Sequence, residues 1–342
     1  MGAWRRASLL CAVLAACGGE ALIEVPPVTV ARPAPRGAAR VTPDAGVSET
    51  AEIERELLAG ALGTAAPAPA VPLGVFGDGG VRPADAHAFR MAVSMKTARG
   101  NASGVKVLQL MSSLRSVARA REQIGLDPFA DGEWLLAYGP RPDAPWPNVN
   151  VLKHGRAEGE VARAIGDAGM EAFDAGAGAV WSELFSVRDV LLRPQAGMLA
   201  LVPSDRAGEL ATALKAPIDH GVKAGEMARV ALAEPAKLVR FVPAGVVKAI
   251  VIVKPAADGG LDVGAEADCP GSDECKTTAT ELEELARRSN SLAVRFVTRN
   301  LLGSLAVRAE GKKLRATLHA TPDQVEALVN LARAQLDVVP AP

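Results

Sequence analysis

Two distant stretches of this sequence share one order of features, and this repetition limits the fold more than any other feature. Residues 202–214 (VPSDRAGELATAL) and residues 320–332 (ATPDQVEALVNLA) each follow a predicted β-hairpin and run through Pro and Asp into a helix. Proline suits the first turn of a helix, and the positive end of the helix dipole favours an aspartate there. Each stretch therefore predicts the same hairpin-to-helix unit.

The order of elements before these two units also repeats. Residues 86–217 and residues 226–338 both indicate β-α-β-β-α, a variable segment, and then β-β-α. Self-similarity of this kind is the sequence sign of a repeated unit, so we predict an internal duplication. Convergence of two unrelated hairpin-helix units is the alternative. Because short turns join neighbouring strands, the predicted class is α+β, with two similar halves of antiparallel sheet that carry helices on one face.

The spacing of apolar residues predicts the individual elements. Alternation over residues 87–96 predicts a half-buried strand. Helical spacing over residues 107–118 predicts one helix that ends at Gly125. In the second half, residues 258–260 (DGG) are typical of a hairpin turn, and residues 277–289 are predicted to be helical.

The first 19 residues have the layout of a secretory signal. Arg5 and Arg6 precede the ten apolar residues 7–16 (ASLLCAVLAA), and small residues surround Cys17. This apolar run is well short of the roughly 20 residues that span a bilayer as a helix. It is therefore predicted to direct export rather than to cross the membrane.

Residues 14–17 (LAAC), followed by Gly18, resemble the lipobox of the bacterial lipoprotein class. The resemblance implies that residues 1–16 are removed as a signal peptide and that Cys17 carries lipid, including palmitate-type chains. It implies a lipid-anchored location in the cell envelope, and the outer membrane is favoured because Gly18 is not Asp. Each buried methylene of such an anchor contributes about 0.8 kcal/mol. An ordinary secreted protein with an incidental Cys17 is the alternative.

Residues 17–85 are predicted to be a tether between this anchor and the folded body. Proline and alanine recur in them, and such segments stay extended without packing. A short amphipathic helix is predicted near residues 48–62 (SETAEIERELLAGAL). A tether of this length lets the body stand away from the membrane.

The charge balance argues against two classes of partner. Removal of Arg5 and Arg6 with the leader leaves 36 of the 38 Lys and Arg against 39 Asp and Glu, with no block of like charge. Nucleic-acid binding needs a concentrated basic face, and an anionic membrane surface attracts a polybasic patch. We expect no nucleic-acid partner and membrane contact only through the N-terminal lipid.

Cys269 and Cys275 remain as a pair once Cys17 is assigned to lipid and the leader is removed. Outside the cytoplasm, a disulfide between them is the natural interpretation. Two free thiols are the alternative. A metal site is not expected, because two thiols without a nearby histidine cannot complete a tetrahedral shell.

We recognise no catalytic arrangement in the sequence. It contains neither a Gly-x-Ser-x-Gly elbow nor a zincin-type pair of histidines. Asp127 and Asp131 are interpreted as turn residues rather than calcium ligands. We expect no cofactor and favour a non-enzymatic function, with an envelope hydrolase of unrecognised site or a carrier of a lipid or apolar ligand as alternatives.

One group of aromatic and amide residues is predicted to form a ligand groove. Its members lie on two neighbouring strands and the loop between them: Trp134, Tyr138, Trp146, Asn148, Asn150 and His154. Aromatic rings beside amides suit sugars or extended peptides. The alternative is that Trp134 and Tyr138 belong to the core and Trp146 covers a sheet edge. The predicted function is a lipid-anchored envelope protein that binds or organises a protein, peptide or glycan.

Overall fold

The structure is a computed structural model that describes residues 89–139, 148–182, 189–238, 242–289 and 298–336. The leader, Cys17, the tether and the helix predicted near residues 48–62 lie outside the described residues. Among the residues within these ranges, no helix is both long enough and apolar enough to cross a membrane.

Eleven strands in the described ranges form one continuous sheet in which every neighbouring pair is antiparallel. In chain order they are β1 Phe89–Ser94, β2 Gly132–Gly139, β3 Val149–His154, β4 Val180–Ser182, β5 Asp189–Leu192, β6 Met198–Val202, β7 Ala228–Ala233, β8 Lys248–Pro255, β9 Leu261–Asp268, β10 Ala306–Glu310 and β11 Lys313–Ala320. The helices are α1 Met95–Arg99, α2 Ala102–Ser112, α3 Arg115–Ile124, α4 Glu158–Asp167, α5 Ala207–Ala213, α6 Pro235–Leu238, α7 Ser272–Ser289 and α8 Pro322–Gln335. Short 3-10 turns span Ser204–Arg206 and Leu301–Ser304.

The order of strands across the sheet is the same in the two halves. Across the sheet they run β10-β11-β9-β8-β7-β1-β2-β3-β6-β5-β4. Outward from the central β1–β7 pair, the first half has β1, β2, β3, β6 and β5, and the second has β7, β8, β9, β11 and β10. The α+β class and the antiparallel sheet are confirmed, and this common order is what an internal duplication requires. The short strand β4 extends the edge of the first half.

The two faces of the sheet differ in what covers them. Side chains alternate between the faces along each strand, so Leu135, Leu152 and Val251 share one face, which we call the helical face. Residues of α2, α3, α4 and α8 pack there in one apolar cluster with strands of both halves. We call the other side the reverse face. Because one cluster spans both halves, they share a core.

The helix α2 belongs to the first half of the chain but is bound to the second. The Asn101 side-chain amide donates to the carbonyl oxygen of Gly260 at 3.2 Å, and the Ser103 hydroxyl donates to that of Gly259 at 2.7 Å. Both acceptors lie in the turn between β8 and β9. The apolar side of α2, including Leu110, is in the cluster shared by the two halves.

The predicted placement of helices on one face holds for the second half, whereas α5 packs on the reverse face of the first half. Leu210 of α5 clusters with Val151, Val190 and other side chains of that face. All five residues of β6 are buried, so this part of the sheet needs cover on both sides. In the second half, the reverse face carries exposed charged residues such as Glu266 and Arg315 and needs no such cover.

The one helix predicted over residues 107–118 is two helices. Leu114 lies between α2 and α3 with extended backbone angles, φ −63° and ψ 138°. At the end of α2 the Leu110 carbonyl oxygen accepts from the Ser113 backbone N–H at 3.1 Å and from the Ser113 hydroxyl at 2.7 Å. Gly125, with φ +66°, ends α3 as predicted.

Cys269 and Cys275 form the predicted disulfide. Cys269 directly follows β9, and Cys275 lies in the first turn of α7. Both cysteines are buried in a small cluster with Val307 and Leu314 of the last hairpin. The bond therefore fastens the start of α7 to the end of the sheet.

Replacement of both cysteines by alanine (C269A/C275A) is expected to lower the free energy of unfolding by about 2 kcal/mol, because the bond closes a short loop and so restricts the unfolded chain. Urea unfolding of this variant and of the oxidised wild type measures the difference. The wild type in a thiol reductant serves as the control and should match the variant. Identical midpoints under all three conditions would contradict a stabilising disulfide.

Candidate functional site

The residues of the predicted groove do not lie on one surface. Trp134 and Tyr138 share the reverse face of β2, as predicted. Asn150 pairs with Ala137 of β2, so it lies on the helical face. Trp146 lies outside the described residues. The amide and aromatic residues that the structure describes therefore belong to opposite sides of the sheet, and the prediction of one groove is wrong.

The other two polar residues of the predicted groove are buried. Asn148 lies so close to Gly139 that a Cβ on that glycine would be 2.0 Å from the Asn148 Oδ1. His154 ends β3 and is 2% exposed. Burial lowers the pKa of His154, which favours the neutral ring. These side chains are part of the packed interior rather than of a ligand surface.

Tyr138 is a core residue of the first half. It is 4% exposed and lies in the apolar cluster that α5 covers. Burial raises the pKa of the Tyr138 hydroxyl. Its cross-strand neighbour Arg90 donates to the carbonyl oxygen of Asp219, in the loop that joins the halves. For Tyr138, the alternative interpretation as a core residue is correct.

Trp134 differs, because it lines a shallow pocket near the beginning of β2. The pocket has a volume of about 370 Å³ and lies where α1, the start of β2 and the loop joining the halves meet. The rings of Trp134 and His220 are 5.2 Å apart between centroids and inclined at 41°. The other residues that line it are polar or charged: Ser94, Lys96, Arg99 and Glu133.

A β-bulge at Glu133 sets the position of Trp134. Along β2 the pairing advances from Gly132 to Trp134, whereas along β3 it advances only from His154 to Lys153. Glu133 is therefore an extra residue with no counterpart on β3. Bulges change the direction of neighbouring side chains and recur next to binding sites.

Hydrogen bonds hold the basic wall of the pocket in place. Arg99 donates to the carbonyl oxygens of Phe129, Ala130 and Gly132 at 3.3, 3.1 and 2.8 Å. These three acceptors belong to the turn that leads into β2. The guanidinium group thus lies beside the pocket while it fixes the turn that precedes Trp134.

His220 supplies a neutral ring with a defined donor. The Val222 backbone N–H donates to Nδ1 of His220 at 3.1 Å, so the ring proton lies on Nε2. Burial lowers the pKa of His220, which favours this neutral form. The pocket combines two rings with cationic and anionic side chains. Such a surface can stack on a ligand ring and bind its polar groups.

Asp127 and Asp131 form a turn, as predicted. The Oδ1 of Asp127 accepts from the backbone N–H groups of Phe129 and Ala130 at 2.9 and 3.1 Å, and Oδ2 of Asp131 accepts from that of Asp127 at 2.8 Å. Arg156 pairs with Asp131 at 3.4 Å. Within the described ranges, no group of three or more His, Cys, Asp or Glu residues is arranged to hold a metal ion.

No protein-family model matches this chain, and no curated protein sequence matches it. A solved structure, crystal form I of TP0453, aligns with a TM-score of 0.42 and 6% sequence identity, over 72% of this chain and 94% of that one. A resemblance at this level carries no argument about function.

Asp189 is a buried acid that sequence reasoning missed. It begins β5, is 3% exposed, and its Oδ1 has no hydrogen-bond partner among the residues that the structure describes. The loss of hydration raises the pKa of Asp189 to about 6. An acid at the border of an apolar strand looks like an ordinary strand end, so no sequence signal marks it.

The raised pKa of Asp189 makes the stability depend on pH. The pKa of Asp189 is about 6 in the folded state, against 3.8 for an ordinary aspartate, so the fold favours the protonated acid. Stability is therefore lost as the pH rises from 3.8 through 6. Asp189→Asn is expected to raise the free energy of unfolding at about pH 8 by about 1–3 kcal/mol, with a smaller gain near pH 4.

Urea unfolding at both pH values tests this expectation. The control is Asp167→Asn, which removes an exposed acid of the same half and should change stability little at either pH. A gain from Asp189→Asn that is equal at the two pH values would contradict a raised pKa.

Proposed function

We propose that this chain is a lipid-anchored protein of the cell envelope that binds a peptide or glycan without catalysing a reaction. The resemblance of its leader to the lipoprotein class supports anchoring through Cys17. The pocket at Trp134 supports binding. In this proposal the lipid is inserted in the outer membrane, and residues 17–85 connect it to the body.

The paired rings of Trp134 and His220 are the observation on which the binding function rests. Stacking on an aromatic ring contributes roughly 0.5–1.5 kcal/mol beyond the burial of area. Lys96 and Glu133 at the same pocket offer charged partners for carboxylates, amines and hydroxyl groups. Sugars and peptides present apolar faces and polar groups together. A shallow pocket also accepts one unit of a longer ligand.

The two pocket residues that could act as nucleophile and base, Ser94 and His220, are already engaged in hydrogen bonds within the protein. The Ser94 hydroxyl lies 2.9 Å from that of Thr97 and caps α1. The basic nitrogen of His220, Nδ1, accepts from Val222. A hydrolase needs a nucleophile within hydrogen-bond reach of a free base. The arrangement therefore favours a binding protein.

Replacement of Cys17 by alanine is expected to abolish lipid attachment, because the thiol of that residue is the proposed acceptor. Cells that produce the wild type or the variant are grown with radioactive palmitate, and the protein is isolated from membrane and soluble fractions. Label should appear only in the membrane-bound wild type. Cys11→Ala, in the leader, is the matched control and should keep the label. Label that persists in Cys17→Ala would refute the anchor.

Replacement of Trp134 by alanine is expected to weaken ligand binding about fivefold, because a stacking ring is lost. Calorimetric titration with an N-acetylglucosamine tetrasaccharide and with a mixed tetrapeptide measures the affinities. Trp181→Ala is the control, because it removes an indole that packs edge-on against Phe173 and does not line the pocket. Equal losses in both variants, or binding of neither probe by the wild type, would contradict the proposal.

A further inference from the structure

His319 bridges two carboxylates at the reverse face of the second half. Its Nδ1 lies 2.8 Å from Oδ1 of Asp262 on β9, and its Nε2 lies 3.1 Å from Oδ2 of Asp258 in the turn between β8 and β9. An ionised carboxylate can only accept hydrogen bonds. Both ring nitrogens must therefore donate, and only the doubly protonated, positively charged ring does so.

The turn that contains Asp258 also makes a contact between the two halves. The other carboxylate oxygen of Asp258 accepts from the Gly260 N–H at 2.8 Å and so shapes the turn. The hydroxyl and the backbone N–H of Ser103 both donate to the Gly259 carbonyl oxygen, at 2.7 and 3.3 Å. The side chain of Asn101 holds Gly260 in the same way. The start of α2 thus depends on a turn that Asp258 helps to hold.

The turn lies against a strand and two helices, and its closest approach is to the end of β11. A Cβ on Gly260 would lie 2.2 Å from the Ala320 carbonyl oxygen, and one on Gly259 would lie 3.8 Å from Pro322 and 3.9 Å from Ala102. The turn therefore lies between the end of β11 and the first residues of α8 and α2. A displacement of the turn therefore breaks its hydrogen bonds to the start of α2.

We propose that His319, Asp258 and Asp262 form a pH-sensitive clasp that holds the turn between β8 and β9, and through it the start of α2. When the ring loses a proton, it donates from only one nitrogen, so one carboxylate loses its donor. The turn then opens more often, and the hydrogen bonds that Ser103 and Asn101 make to it break more often.

The pH range of the clasp follows from its partners. Hydrogen bonds to Asp262 and then to Asp258 raise the pKa of His319 above 6.5. Hydrogen bonds from Gly260 and then from His319 lower the pKa of Asp258 below 3.8. The clasp therefore contributes its full stabilisation between pH 3.8 and pH 6.5. It is lost as the pH rises through the pKa of His319 or falls through that of Asp258.

Neighbouring charged groups leave this assignment unchanged. Lys254 of β8 is the cross-strand neighbour of Asp262. Ion pairs near His319 involve other residues: Arg315 of β11 pairs with Glu266 and Glu310, Arg299 with Asp323 of α8, and Lys106 with Glu326 of α8. The two aspartates are thus the partners that distinguish His319 from His154 and His220, whose pKa values are lowered by burial.

Hydrogen exchange of the Ser103 amide tests the proposal in the full chain, because this amide donates directly to the turn. Exchange rates are measured from about pH 5.5 to 9 and corrected for the intrinsic rate, and the titration of the His319 ring is followed by NMR. The opening constant of the wild type should rise about threefold as His319 deprotonates, since exposed ion pairs are weak. In His319→Gln the profile should be flat.

Two acid variants on β9 complete the test. Asp262→Asn should move both the His319 titration and the opening of Ser103 to lower pH. Glu266→Gln, on the same face of the same strand but paired with Arg315, should change neither. Titration of His319 at or below its ordinary value would overturn the proposal, and so would a Ser103 profile that is the same in His319→Gln as in the wild type. No ligand is needed, so the outcome is independent of the proposed binding function.

Discussion

The pairing of β1 with β7 is the contact on which the arrangement of the molecule depends. Five residue pairs, from Phe89–Leu232 to Val93–Ala228, join two half-sheets into one sheet. Without them, each half would expose the unpaired backbone groups of an edge strand. The shared core would also divide, because α2 would lose the strands that it covers. The common strand order of the halves therefore describes a repeat in topology but not two independent folding units.

One chain segment that leaves β1 connects the pocket with the turn that the clasp holds. The segment from Ser94 to Ser103 leaves β1, forms α1 with the pocket residues Lys96 and Arg99, and begins α2 at the turn that the clasp holds. The loop that carries His220 is the connection from the first half to β7. The pocket is thus made by the end of β1, α1, the start of β2 and the loop that joins the halves.

The sequence predicts elements correctly where they depend on the spacing of apolar residues along one segment. It does not predict features that depend on how that segment pairs with another strand or loop. Alternation located the long strands, but β4 is three residues long and too short to show a period. Apolar residues keep their helical spacing on both sides of Ser113, so the sequence pattern does not indicate the break between α2 and α3. The prediction of a groove is wrong because the alternation of residues along each strand does not determine which side chains of two adjacent strands lie on the same face. The register of the pairing determines this, and no sequence pattern marks the bulge at Glu133. The Trp134 pocket also needs a loop residue, His220, whose position no periodic pattern predicts.

The placement of α2 has a consequence for the order in which the protein becomes folded during synthesis. The ribosome completes α2 long before it makes β8, β9 and β11, the strands whose side chains share its apolar cluster. Contacts between residues so far apart in the chain form slowly. The nascent first half therefore emerges with the apolar side of one helix uncovered, a state that exposes a chain to aggregation. Completion of the core that the two halves share has to wait for the C-terminal third of the chain.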